Sequence, residues 1–171
     1  LIEHLNEDTF SGHNIVGTIF MECAAGYYSN GEEKYKPVGE TEFVINLINE
    51  SKNLKKSTNI IGIIGFADLM LGSEVKDVLD KHLLKGEGMF KGIRHAAGWD
   101  KNTEIHNSHS DPIENIYFNK SFREGAEELI KLNLTFDAWH YHHQIKDLSN
   151  FAAKHPELTI IHDHFGRFGV N

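Results

Sequence analysis

A single cysteine, Cys23, stands in 171 residues, so no disulfide can form within the chain. That scarcity fits a reducing, cytoplasmic setting. Only three prolines occur, and no apolar run approaches the roughly 18–20 residues that a membrane-spanning helix needs. Basic residues are in deficit. With 17 Lys and Arg against 25 Asp and Glu, the formal charge is −8, which argues against a nucleic-acid backbone or an anionic membrane as partner. Low-complexity stretches and short repeats are missing. The balance of 40% hydrophobic and 25% charged residues excludes disordered, collagenous and coiled-coil chains. No glycine-rich phosphate loop follows the first apolar run, since Ala24-Ala25-Gly26 is not one.

Two features stand out by presence. Histidine occurs 12 times, more than packing alone requires. The chain also opens on Leu1 and stops at Asn171, just past an apolar run, and is therefore expected to be a piece of a longer protein, truncated at both ends.

Two periodicities alternate along it. Asn14–Cys23, Asn59–Phe66, Phe90–His95, Leu134–His142 and Leu158–His164 are short, apolar and rich in β-branched or aromatic residues, which predicts buried strands. Between them, Gly39–Lys52, Ser73–Leu84, Ser121–Leu132 and Gln144–Lys154 carry helical stripes. Thr41 is a candidate cap for the first helix and Gly86 a stop for the second. A long polar loop runs from about Ala96 to Tyr117. The order β-α-β-α-β-loop-α-β-α-β predicts parallel strands with right-handed crossovers. Strand ends recur about every 35 residues, near the ~31 of a (β/α)8 barrel. Five strands cannot close such a barrel. The expectation is either an open doubly wound sheet or one barrel domain, residues 1–171, present as an incomplete segment of about five β/α units.

Each strand turns polar at its carboxyl end. The first closes on Glu22-Cys23, the third on Arg94-His95, the fourth on His140-Tyr141-His142-His143, the fifth on His162-Asp163-His164. Active sites of parallel α/β folds lie at that edge. Burying such groups unsatisfied costs a few kcal/mol each, so packing alone is a poor explanation. Parity places His140 with His142 and His162 with His164, each pair about 6–7 Å apart along its strand. If those faces line the mouth, four imidazoles converge, suited to metal ligation or to base catalysis. By the same parity Asp137 and Asp163 should face the helix layer or a neighbouring strand and be structural. His4, His13, His82, His106, His109 and His155 read as solvated, and Cys23 as a small buried hydrophobe.

The stretches NIVGTIFMECAAGYY, KPVGETEFV, IIGIIGFADL, FKGIRHAAGWD, FREGAEELIKLNLTFDAWHYHHQ and IIHDHFG together resemble the amidohydrolase-related (amidohydrolase 2) family of TIM-barrel hydrolases. The family's Tyr-His-Pro-Gln pattern matches Tyr141-His142-His143-Gln144, with histidine in place of proline. Its Asp-His-x-Gly matches Asp163–Gly166, and its Gly-x-Arg-His matches Gly92–His95. The resemblance implies that the strands are the second to sixth of eight. The superfamily's first-strand His-x-His and last-strand Asp have no counterpart here, and His140 and His162 fall where relatives carry aliphatic residues. It further implies hydrolysis of a small anionic substrate, in many relatives a sugar-acid or dicarboxylate lactone. The catalytic candidates are His142 and His164. Arg94, His95 and Glu22 are the substrate-binding candidates. Either one divalent metal, Zn or Mn, is held with His142 as first ligand and His164 as second, or the reaction is metal-independent. Without the missing strands the 171 residues alone are expected to be inactive. A decarboxylase on the same scaffold, or a non-enzymatic small-molecule binding module with an open α/β sheet, are the rival readings.

Overall fold

The computed structural model describes residues 2–54 and 58–167. In chain order the elements are α1 (Ile2–Thr9), β1 (Thr18–Met21), α2 (Val38–Ser51), β2 (Ile60–Gly65), α3 (Val75–Lys85), β3 (Phe90–Arg94), α4 (Lys120–Lys131), β4 (Thr135–Ala138), α5 (Ile145–Lys154) and β5 (Ile160–His162). Short 3-10 turns cover Leu69–Glu74, Ile116–Phe118, His142–Gln144 and Asp163–Phe165, among others. No helix among the described residues is long and apolar enough to cross a membrane.

The strands follow one another in the sheet as they do in the chain, β1-β2-β3-β4-β5. The β1–β2, β3–β4 and β4–β5 pairings are parallel. A doubly wound sheet reverses its direction of strand addition at a switch point. This order has no reversal, so the open-sheet alternative falls and the fold is a five-unit segment of the (β/α)8 architecture. The segment forms two compact units, residues 1–65 with 80–91, and residues 66–79 with 92–171.

In the first unit, β1 is shorter than the apolar run 14–23 suggested. Ile15 and Val16 are exposed and precede the strand. Val44 and Ile45 of α2 and Ile63 and Ile64 of β2 are buried core residues. Thr41 does not cap α2, which starts earlier, at Val38. Its hydroxyl instead meets His82 Nδ1 at 2.8 Å. His82 is not solvated either: it is fully buried and stacks on Phe90 with ring centroids 4.7 Å apart.

The second unit is built on an aromatic cluster. Phe122 of α4, Phe136 of β4, Phe151 of α5 and Tyr117 are each at most 1% exposed, with ring centroids 5.5–5.9 Å apart, mostly edge to face, an arrangement aromatic quadrupoles favour. Buried Phe122, Gly125, Ala126 and Leu129 recur at helical spacing, and the Asn119 side chain caps α4 by accepting from the Phe122 N–H at 3.3 Å. His155 is buried too, its Nδ1 2.9 Å from Phe151 O.

Phe136 pairs in register with Ile93 and Ile160, and Asp137 with Arg94 and Ile161. Because Phe136 packs on α4 and α5, its face is the helix face. Alternation then puts Arg94 and Asp137 on the opposite face.

The α4 helix lies so close to the Leu69 turn that a Cβ on Gly125 would sit 2.5 Å from Leu69 O and 2.9 Å from its Cα. Gly125→Ala gains about 0.8–1 kcal/mol of helix propensity. We nevertheless expect a net loss of about 1–3 kcal/mol from overpacking, measured as a lower urea midpoint at unchanged m. A midpoint at or above wild type would show that this approach does not limit packing.

Candidate active site

Beyond β4 and β5 the two chains stay side by side. Arg167 N–H donates to His140 O and His142 N–H donates to Arg167 O, both at 2.9 Å. Tyr141 and Arg167 thereby form a parallel bridge. The turn Asp163–Phe165 loops out of this pairing, with His164 and Phe165 in the left-handed region at φ 53° and 54°, a costly conformation for residues with a Cβ. Gly166 returns the chain at φ 78°, and a Cβ there would lie 3.0 Å from His142 Cα. His142 and His164 are thus on adjoining, exposed segments at the carboxyl ends of β4 and β5.

Gln144 locks this edge. Its Nε2 donates to Ala97 O at 2.8 Å, and its Oε1 accepts from the N–H groups of Tyr141 (3.1 Å) and Trp99 (3.2 Å). The amide ties the segment after β3 to the segment after β4. The Tyr141 hydroxyl adds a bond to His106 O.

Arg94 ends β3 on the face opposite the helices, and its Nη1 lies 3.7 Å from Asp163 Oδ2. Asp137 of β4 shares that face and is 3% exposed. Burial first, then Asp163, pushes its carboxyl up to about 6, although Thr135 and Arg94 pull the other way. Burial also raises Asp163, against Arg94 and the neighbouring His164 and His162. Sequence parity had assigned both aspartates to the helix layer or a neighbouring strand. The register takes Asp137 off the helix side, because the aromatic residue packed on the helices is Phe136, one position before it.

His95 follows Arg94 and therefore takes the other side. It is 3% exposed, its ring edge-on to Phe122 at 5.3 Å. Its Nδ1 accepts from Leu69 N–H at 3.2 Å and lies 3.7 Å from Asp68 Oδ1. Arg94 and His95 thus do not share a face. His140 is likewise buried on the helix side, 3.1 Å from the Tyr117 hydroxyl through Nδ1, with Nε2 buried and without a hydrogen-bond partner. His162 stacks on it at 5.0 Å. The expected convergence of four imidazoles does not form: His140 belongs to the core, while His142 and His164 are exposed.

Glu22 lies in the first unit, 1% exposed after β1. Its companion is Glu40, equally buried, whose Oε1 accepts the N–H groups of Cys23 (3.0 Å) and Ala25 (2.7 Å). Burial and then Glu22 raise Glu40, the N–H groups opposing. Cys23 is exposed rather than buried. Its thiol is raised by desolvation and by Glu40, which leaves little thiolate.

Among the described residues no three His, Cys, Asp or Glu side chains gather as a metal-binding group. The donor set around His142 and His164 does not by itself fit a Zn or Mn site, which needs at least three protein ligands in a catalytic centre.

Sheet order and parallel pairing define a β/α protein of the barrel type. The amidohydrolase family model matches residues 39–170, most of the chain, and the chain belongs to that family. It is 27% identical over 173 aligned positions to the uncharacterized protein y4mH of Sinorhizobium fredii, an alignment that covers 97% of this chain and 49% of that one. It therefore spans about half the length of the curated relative it matches. Among solved structures it is similar to a crystal structure of an amidohydrolase from Burkholderia multivorans with bound HEPES. There the identity is 17% and the TM-score 0.48, over 71% of this chain and 36% of that one.

The buried His140 makes a prediction. Burial first, then His162 and His143, lowers its pKa from 6.5 to about 4. The unfolded state therefore binds the proton more readily, and stability falls as pH drops from about 6.5 through about 4. Replacing both partners, His140→Leu with Tyr117→Phe, should flatten this acid limb, by of order 1–3 kcal/mol between pH 7 and 4. Urea titrations at the two pH values measure it. An unchanged slope would assign the limb to other groups.

Proposed function

We propose that the whole protein is a hydrolase that opens a small anionic lactone at the carboxyl ends of these strands. The observation that carries this is the pairing of residues 140–142 with Arg167, which sets His142 beside the turn that holds His164. Arg94 ends the neighbouring strand on the face opposite the helices. In the proposed reaction water attacks the lactone carbonyl and gives its proton to a neutral imidazole, His142 or His164. The developing oxyanion is stabilised by the Arg94 guanidinium. The ring C–O bond then breaks, and the imidazolium returns the proton to the leaving alkoxide. Donors of this kind contribute about 3–4 kcal/mol each to transition-state stabilisation. A cytoplasmic location belongs to the same proposal, supported by the lone cysteine.

The test uses the full-length protein against a panel of sugar-acid and dicarboxylate lactones, with aromatic and enoic acids alongside. We expect ring opening without CO2 release, and a loss of about 100-fold or more in kcat for His142→Ala or Arg94→Gln. CO2 release from the acids with the lactones untouched would transfer the protein to the decarboxylases. Unchanged turnover in His142→Ala would remove that residue from the mechanism.

A further inference from the structure

Arg94, Asp137 and Asp163 form a cluster of three ionisable groups to which the family patterns give no joint task. Their placement is graded. The Arg94 and Asp163 side chains are 19% and 11% exposed, while Asp137 is 3% exposed. Arg94 is the most accessible of the three and Asp137 the least.

The charge count is uneven. One guanidinium faces two carboxyls. If both ionise, the cluster is net negative; if one keeps a proton, it is neutral. Arg94 Nη1 lies 3.7 Å from Asp163 Oδ2; burial raises both carboxyls, and this ion pair favours ionising Asp163 before Asp137. The groups that act on Asp137 are Asp163 after β5, Arg94 on β3 and Thr135 on its own strand, whose hydroxyl is 3.4 Å from Oδ2. Burial and the negative Asp163 hold the Asp137 proton on to about pH 6, against an ordinary 3.8. The cluster thus changes charge close to neutrality, on the strand beside the cation that the proposed reaction uses.

We propose that Asp137 governs the charge of an anion subsite at Arg94: with its proton on, it leaves the Arg94–Asp163 pair able to accept a substrate oxyanion, and ionised, it makes the cluster net negative and turns the anion away. Asp137 is a positioning residue in this scheme, acting through Arg94 without touching substrate. The inference rests on the role given to Arg94 above. It goes further in making anion binding and proton uptake one linked event.

Sulfate is the probe, because its charge is constant across the range. It is titrated into the full-length protein at about pH 5 and about pH 8, following the Arg94 side-chain NMR signal. Wild type should bind about tenfold more weakly at the higher pH, the scale of one like charge a few ångströms away when water and the Arg94 guanidinium screen it almost as in bulk solvent. Asp137→Asn fixes the cluster as neutral and should bind at the tighter level at both pH values. A merely structural aspartate predicts the opposite, weaker binding in Asp137→Asn with the pH dependence retained, and that result overturns the proposal. Should the variant not fold, the Asp137 carboxyl carbon in wild type decides. Its midpoint should rise by about one unit on saturation with sulfate, the linked counterpart of the tenfold change. An unmoved midpoint overturns the inference. Arg94→Gln should abolish sulfate binding. If it binds as wild type does, the assignment of Arg94 fails, and the proposal for Asp137 with it. If sulfate does not bind while lactone turnover persists, the Asp137 subsite is lost but hydrolysis stands.

Discussion

Alternation along β3, β4 and β5 is the constraint on which the site depends. A strand sends successive side chains to opposite faces, so once one residue is committed, its neighbours are committed too. Phe136 makes the commitment. Wedged between Phe122 of α4 and Phe151 of α5, it defines the helix face. Burying an aromatic side chain of this size is worth several kcal/mol, more than any one exposed ion pair contributes. Packing thus decides the facing of the strand, and the charged residues follow. Asp137 and Arg94 go to one side, His95 and His140 to the other.

The cost of that arrangement is visible in the polar groups that the core must accept. His140 is held neutral against Tyr117. His95 is fixed by a backbone N–H and by rings on both sides. In the first unit the buried Glu40 is offset by two N–H donors from the segment after β1. In each case a titratable side chain is kept in place by neighbours rather than left to solvent. His142 and His164, which the family patterns single out, are among the groups that stay exposed at the strand ends.

The β/α alternation, its parallel sense and the position of four of the five helices were legible from periodicity, because buried strands and amphipathic helices write different repeats. Strand ends were less so. The run 14–23 looks uniformly apolar, but pairing with β2 covers only Thr18–Met21. The helix α1 went unread: it is eight residues long and buries only Thr9. Facing was the main failure. Parity alone cannot say which set of strand residues meets the helices, and it does not apply to Asp163 and His164, which lie in a turn. Phe122 and Phe151 supply that answer only once the chain is folded. The same holds for His82 and His155, which look polar in a helical stripe and are in fact covered by Phe90 and Phe151. The signal for Gln144 was present in the Tyr-His-x-Gln pattern, although its structural task was not.

Gln144 has one further consequence. A single side-chain amide joins Ala97 and Trp99 on one segment to Tyr141 on another. Neither segment can shift without disturbing these three bonds, so a displacement at either is passed to its neighbour. The two segments thus form a coupled frame, and a push on the loop carrying Trp99 would be felt at the backbone of Tyr141.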